Sequence, residues 1–176
     1  MKKLLTLTLI MGLLLMAGLG AEEQKAPLNE NFPTPGVMIN RQLVSPGDLM
    51  LNLFGIAGLP DHVWANRGQE QSGDYVKMDY LSYGTSFNIS SGDKENVVTG
   101  ILIKSSKLEI QNVPFKVGQS IDQVESAWGK PETQDKKVFC YWKRGVYFIT
   151  DDQGKINYIF LTLPGKNEEG KDGANS

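Results

Sequence analysis

Two stretches of the chain space their apolar residues like short helices and carry start and stop signals at both ends. In "VGQSIDQVESAWGKPE", residues 117–132, Ile121, Val124 and Trp128 recur at intervals of three and four, with Ala127 beside them. Ser120 is placed to cap the first turn, with Gln123 completing a capping box and Asp122 favourably near the positive end of the dipole. Gly129 can take the left-handed stop and Pro131 prevents continuation. "GDLMLNLFGIAGLP", residues 47–60, repeats the frame: Ser45-Pro46-Gly47-Asp48 starts a helix and Gly58-Leu59-Pro60 stops it. Both read G-x10-G-x-P at an offset of 71 residues.

The echo extends in both directions. Upstream, Val37, Ile39 and Val44 match Leu108, Ile110 and Phe115. Downstream, "DYLSYGTSFNI" aligns with "CYWKRGVYFIT", pairing Tyr80 with Tyr141, Gly84 with Gly145 and Phe87 with Phe148; "VTGILI" then aligns with "INYIFL", pairing Ile101 with Ile159. In the second copy "KVFCYWK", "VYFIT" and "KINYIFLT" alternate as strands of an antiparallel meander, turning at Arg144-Gly145 and at residues 151–154. "HVWANRGQEQSGD" and "SSGDKEN" in the first copy read as polar surface-loop insertions. The pattern predicts an α+β fold of two tandem repeats, residues 37–104 and 108–162, each a helix packed on a short antiparallel sheet, the two sheets continuous.

Comparing the copies separates the strand faces. Phe87 and Phe148 mark the face turned to the helix. The other face carries Ser86, Asn88 and Ser90 in the first copy against Tyr147, Ile149 and Asp151 in the second; Lys77, Asp79 and Leu81 against Val138, Cys140 and Trp142; Gly100 and Leu102 against Tyr158 and Phe160. The candidate protein-binding residues are therefore Trp142, Tyr147, Ile149, Tyr158 and Phe160. The alternative is that the copies fold together, or the leader lies across this face, and buries them. A one-residue register error would exchange the faces.

The ends of the chain read differently from its middle. Residues 1–21 have a Lys2-Lys3 start, an apolar run from Leu4 to about Met16 and small residues after it, the layout of a cleaved signal peptide. The run is shorter than the roughly 20 residues needed to span a bilayer, so no integral membrane segment is expected after cleavage. Residues 22–36 read as a flexible leader and 163–176 as a disordered polar tail. Export places the protein in the periplasm or outside the cell. A formal net charge of −2, with no basic run longer than two, argues against a nucleic-acid partner. Cys140, the single cysteine, sits between Phe139 and Tyr141 as a buried hydrophobe, and His62, the single histidine, reads as a loop residue. One Cys and one His supply no metal set, Gly129-Lys130 lacks the phosphate-loop frame, and no carboxylate pair reads as acid/base machinery. No cofactor, no metal and no enzymatic activity are expected.

The run from Phe115 to Glu132, with Val117, Gly118, Val124, Gly129 and Pro131 and the Tyr141-Trp142 strand, resembles the SmpA/OmlA-type module of bacterial envelope proteins. Its tandem duplication resembles the architecture of beta-lactamase inhibitory protein. The resemblance implies helices on one face of an antiparallel sheet, a free face for binding proteins, and an extracytoplasmic, non-enzymatic role in envelope assembly or inhibition of an envelope protein. Two departures matter: no lipid-attachment cysteine follows the signal, and the disulfides of the secreted inhibitor cannot form, so inhibition of beta-lactamase is not carried over. A second expectation, from a different class, is a small-ligand or lipid-handling protein with a cavity lined by Met50, Leu53, Phe54 and Phe87.

Overall fold

The computed structural model describes residues 32–67, 74–90 and 96–165. The expected signal peptide, most of the leader and the polar tail lie outside them. The chain opens with a tight hairpin of β1 (Gly36–Ile39) and β2 (Gln42–Val44), joined by Asn40 and Arg41 at φ of 49° and 65°. Positive φ at both turn residues matches the twist of the flanking strands. Next come α1 (Met50–Ala57), β3 (His62–Asn66), β4 (Tyr75–Tyr80), β5 (Thr85–Ser90) and β6 (Val98–Ile103). The second half runs through β7 (Ile110–Gln111), α2 (Ile121–Trp128), β8 (Thr133–Asp135) and β9 (Val138–Tyr141). A 3-10 turn, Trp142–Arg144, then leads into β10 (Val146–Thr150) and β11 (Ile156–Leu161).

The α+β expectation of two tandem helix-on-sheet repeats is overturned. The described residues are mostly β, and helix is confined to two segments of 8 residues each. One antiparallel sheet of eight strands runs β3-β4-β5-β6-β11-β10-β9-β8, and a second, three-stranded sheet runs β2-β1-β7. The physical reason is the strand content: residues expected as loop or connection form β3 and β8 at the two ends of the large sheet, and β1, β2 and β7 leave it for a sheet of their own. The continuity expected between the sheets runs through β6 and β11 (Leu102↔Phe160, Ile101↔Leu161). Ile101, Ile103, Ile159 and Leu161 there are fully buried. Separate units would expose two apolar strand edges, and pairing them removes both. The small sheet ties the halves again, since β1 from the first pairs with β7 from the second. Some aligned residues still make the same contact: the hydroxyls of Tyr80 and Tyr141 donate to the carbonyls of Gly58 and Gly129.

Local readings are corrected as well. His62–Asn66, taken for part of a loop insertion, is strand β3, and Thr133–Asp135, for which the sequence reading assigned no element, is strand β8. Ser120 does cap α2, but its side chain accepts from the amide of Asp122, while Gln123 bonds only the Ser120 backbone carbonyl; the capping box does not form. Leu49 stands at the N-cap of α1 and its apolar side chain cannot cap it, while Asp48 turns back to accept from the amide of Ser45.

A single core cluster joins both sheets and both helices. It contains Val37, Val44, Leu53, Phe87, Ile110, Ile121, Val124 and Phe148. Around Phe148 the rings of Phe115, Tyr141 and Trp128 pack at centroid distances of 5.9, 5.9 and 5.8 Å, the first two edge to face. Such pairs add about 0.5–1.5 kcal/mol beyond the area they bury. Arg144 stacks over the rings of both Trp128 and Phe32, closing this end of the core.

Candidate functional site

Strand pairing fixes which residues share the face opposite the core. Along one row Asp79 lies beside Ser86, Ser86 beside Leu102, Leu102 beside Phe160, Phe160 beside Tyr147, and Tyr147 beside Cys140. A second row brings Lys77, Asn88 and Gly100 together in the first half and Val138, Ile149 and Tyr158 together in the second. Side chains alternate between faces along a strand, so these rows form the second face of the large sheet. Both helices turn their buried residues, Leu53, Ile121 and Val124, into the core cluster with Phe87 and Phe148.

Four of the five expected site residues come together here. Tyr147, Ile149, Tyr158 and Phe160 are adjacent and half-buried. The Tyr147 and Phe160 rings stand 6.1 Å apart, and the Phe160 ring leans across β6 onto Gly100, where any side chain would collide with it. Gly100 is therefore the reason the aromatic half reaches into the first half of the sheet. Burial and the neighbouring Cys140 push the Tyr147 phenol up from its ordinary range. Trp142 does not join the group: it opens the 3-10 turn instead of continuing β9, and its ring packs on Gly165. Leu81 likewise leaves its strand for a turn and is exposed. Cys140 is buried on this face, and His62 is an exposed strand residue rather than a loop one.

The first half of the same face is polar and centred on Asp79, which is 8% exposed. Its carboxylate accepts from the indole Nε1 of Trp64 at 2.9 Å and the hydroxyl of Ser86 at 2.5 Å. Lys77 and Lys104 place Nζ at 3.3 and 3.8 Å. Two ammonium groups around one carboxylate give this cluster a net positive charge. Burial alone would raise the Asp79 pKa, but the hydrogen bonds from Ser86, Trp64 and Lys77 and the charge of Lys77 outweigh it and hold the carboxyl below the ordinary aspartate range. A depressed carboxylate stabilises the fold above its unfolded-state pKa of about 3.9 and loses that contribution as pH falls through the folded value. Asp79→Asn should therefore lower stability at pH 7, with mutant and wild type converging in urea titrations as pH drops below about 4. Trp64 and Lys104 escaped the sequence reading. Trp64 lay in a segment read as loop, although the alternation of His62, Trp64 and Asn66 was the available signal.

The residues expected to line a ligand cavity lie in or against the core. Leu53 and Phe87 are sealed in the core, and Met50 and Phe54 pack against it. An open depression of about 450 Å³ lies elsewhere, bordered by Pro114, Phe115, Gln119, Asp122, Gln123 and Ser126 on the flank of α2. Among the described residues no group of three or more His, Cys, Asp or Glu is arranged to hold a metal. Nor is any described helix long and apolar enough to cross a membrane.

Residues 100–175 match a family described as a domain of unknown function, DUF7738. The matched segment begins in β6 at Gly100 and contains Leu102 and all five expected site residues. Neither the curated proteins nor the solved structures contain a match to this chain.

Proposed function

We propose that the chain is a non-enzymatic protein-binding module of the periplasm or the extracellular space, taking its partner on the open sheet face at Tyr147, Ile149, Tyr158 and Phe160. The observation that carries this reading is a cluster of aromatic and aliphatic side chains on the face without helices, directly beside the net-positive Asp79 cluster. Half-buried rings locked by their neighbours lose little entropy on binding, which suits them as anchors. The partner that fits presents an apolar protrusion flanked by a carboxylate, the first against Tyr158 and Ile149, the second toward Lys77 and Lys104. A non-enzymatic role is supported by the polar groups themselves: Ser86 is buried, and Asp79 is fully engaged by Trp64, Ser86 and the two lysines. The signal-like residues 1–21 and the resemblance of residues 115–132 to envelope modules support the compartment. Replacing Ile149 and Tyr158 together by serine should cut recovery of the partner from an envelope fraction by more than tenfold, while Gln123→Ser on α2 leaves it unchanged. Undiminished recovery by a folded Ile149→Ser/Tyr158→Ser chain would refute this reading.

A further inference from the structure

The two outer edges of the large sheet are built differently. At one end β8 has three residues, ends in Asp135, and is flanked by Pro131, Glu132, Lys136 and Lys137. Charge, proline and shortness are the devices that keep an edge strand from pairing. At the other end β3 has five residues, His-Val-Trp-Ala-Asn, with no charge and no proline. Among the described residues no strand pairs with its outer side. Its side chains are exposed, Val63 at 57% and Trp64 at 54%. Trp64 is nevertheless held in place by its bond to Asp79 and by the His62 ring 6.0 Å away.

We infer that β3 is a self-association edge, pairing antiparallel with β3 of a second copy about a two-fold axis at Trp64. The sequence around Trp64 is complementary to its own reverse. In that register Trp64 meets Trp64 of the second copy, Val63 meets Ala65, and His62 meets Asn66. One step further out, the exposed Asp61 of each copy meets the exposed Arg67 of the other. The pairing thus places an aromatic pair at its centre and two opposite-charge pairs at its ends, with no like charges opposed. An isologous contact of this kind closes on itself as a dimer and leaves no growing end. Because the axis is perpendicular to the sheet, both copies turn their open faces to the same side, and the dimer presents the aromatic cluster twice. A bivalent partner would gain from that arrangement.

Sedimentation velocity on the chain, purified as the cell delivers it, tests the edge directly. The expected species is a dimer, which Val63→Lys and Arg67→Glu each weaken by about tenfold or more, and which Gln134→Lys on β8 leaves intact. Val63 and Arg67 are exposed, and an unchanged thermal transition will show that the variants fold. Raised salt should weaken the wild-type dimer and not the Arg67→Glu remnant. A monomer at concentrations up to about 0.1 mM would overturn the inference. So would a dimer indifferent to Val63→Lys but lost on Ile149→Ser/Tyr158→Ser, because that result places the contact on the open face instead of the edge.

Discussion

Phe148→Ala is expected to cost about 3–5 kcal/mol of stability, a large part of what a domain of this size commonly has. Phe148 is fully buried, and Phe115, Trp128 and Tyr141 all pack on its ring. Those three belong to the β7–α2 connection, α2 and β9, so the cavity would open where the segments of the second half converge. Aromatic neighbours anchored on different elements collapse poorly into such a void, which keeps the loss near the upper end. Phe160→Ala, on the adjacent strand and the opposite face, should cost far less, since its ring is only half-buried. Urea unfolding of the two variants measures the difference between the faces. Equal losses would mean that the open face is also core.

Gly145→Ala is expected to cost about 2–5 kcal/mol, from two separate causes. Gly145 sits in the left-handed region at φ 67° and ψ 31°, which costs an alanine about 1–2 kcal/mol. A Cβ there would also meet the Thr162 carbonyl oxygen, with the Pro164 nitrogen at 2.9 Å and the Leu163 carbonyl carbon at 3.0 Å. These are backbone atoms, so no rotamer change relieves the contact. The same backbone supplies the bond from the Thr162 amide to the Gly145 carbonyl that closes the β10–β11 end. Gly154 isolates the first cause: it has φ 72° but only an ordinary 3.8 Å contact to Ile121. Gly154→Ala should lose about 1–2 kcal/mol, and thermal melts of the pair should separate strain from collision.

The residues most legible in the sequence were those whose local chemistry matches their burial. Helix α2 has its apolar stripe, a serine cap and a glycine stop in sequence, and the structure begins it at Ile121 and ends it at Trp128. The hairpin strands β10 and β11 alternate cleanly and were readable for the same reason. Strands β3 and β8 were not, because most of their residues stay exposed and neither strand needs a buried apolar face to exist. Each is held by its partner's backbone, which leaves only the faint alternation of His62, Trp64 and Asn66 in β3 as a signal. The fold class was misjudged for a related reason. Those exposed strands lengthen the large sheet to eight, and β1, β2 and β7 form a sheet of their own, so strand outweighs two helices of 8 residues each. In the candidate site, parity along β10 and β11 placed Tyr147, Ile149, Tyr158 and Phe160 together, but it could not foresee that the chain leaves the strand at Trp142. The cluster around Asp79 was illegible because Trp64 reaches it from the middle of β3 and Lys104 from just beyond β6, elements remote in sequence.

The faces of one sheet thus divide the work. Phe87, Phe148 and their neighbours hold the fold, while the opposite face carries the aromatic cluster assigned to binding. Site-specific photo-crosslinking in the native envelope tests that assignment most directly. A photoreactive residue at position 158 should give one discrete adduct, and the same residue at position 123 on the exposed side of α2 should give none. Adducts at 123 and none at 158 would contradict the account.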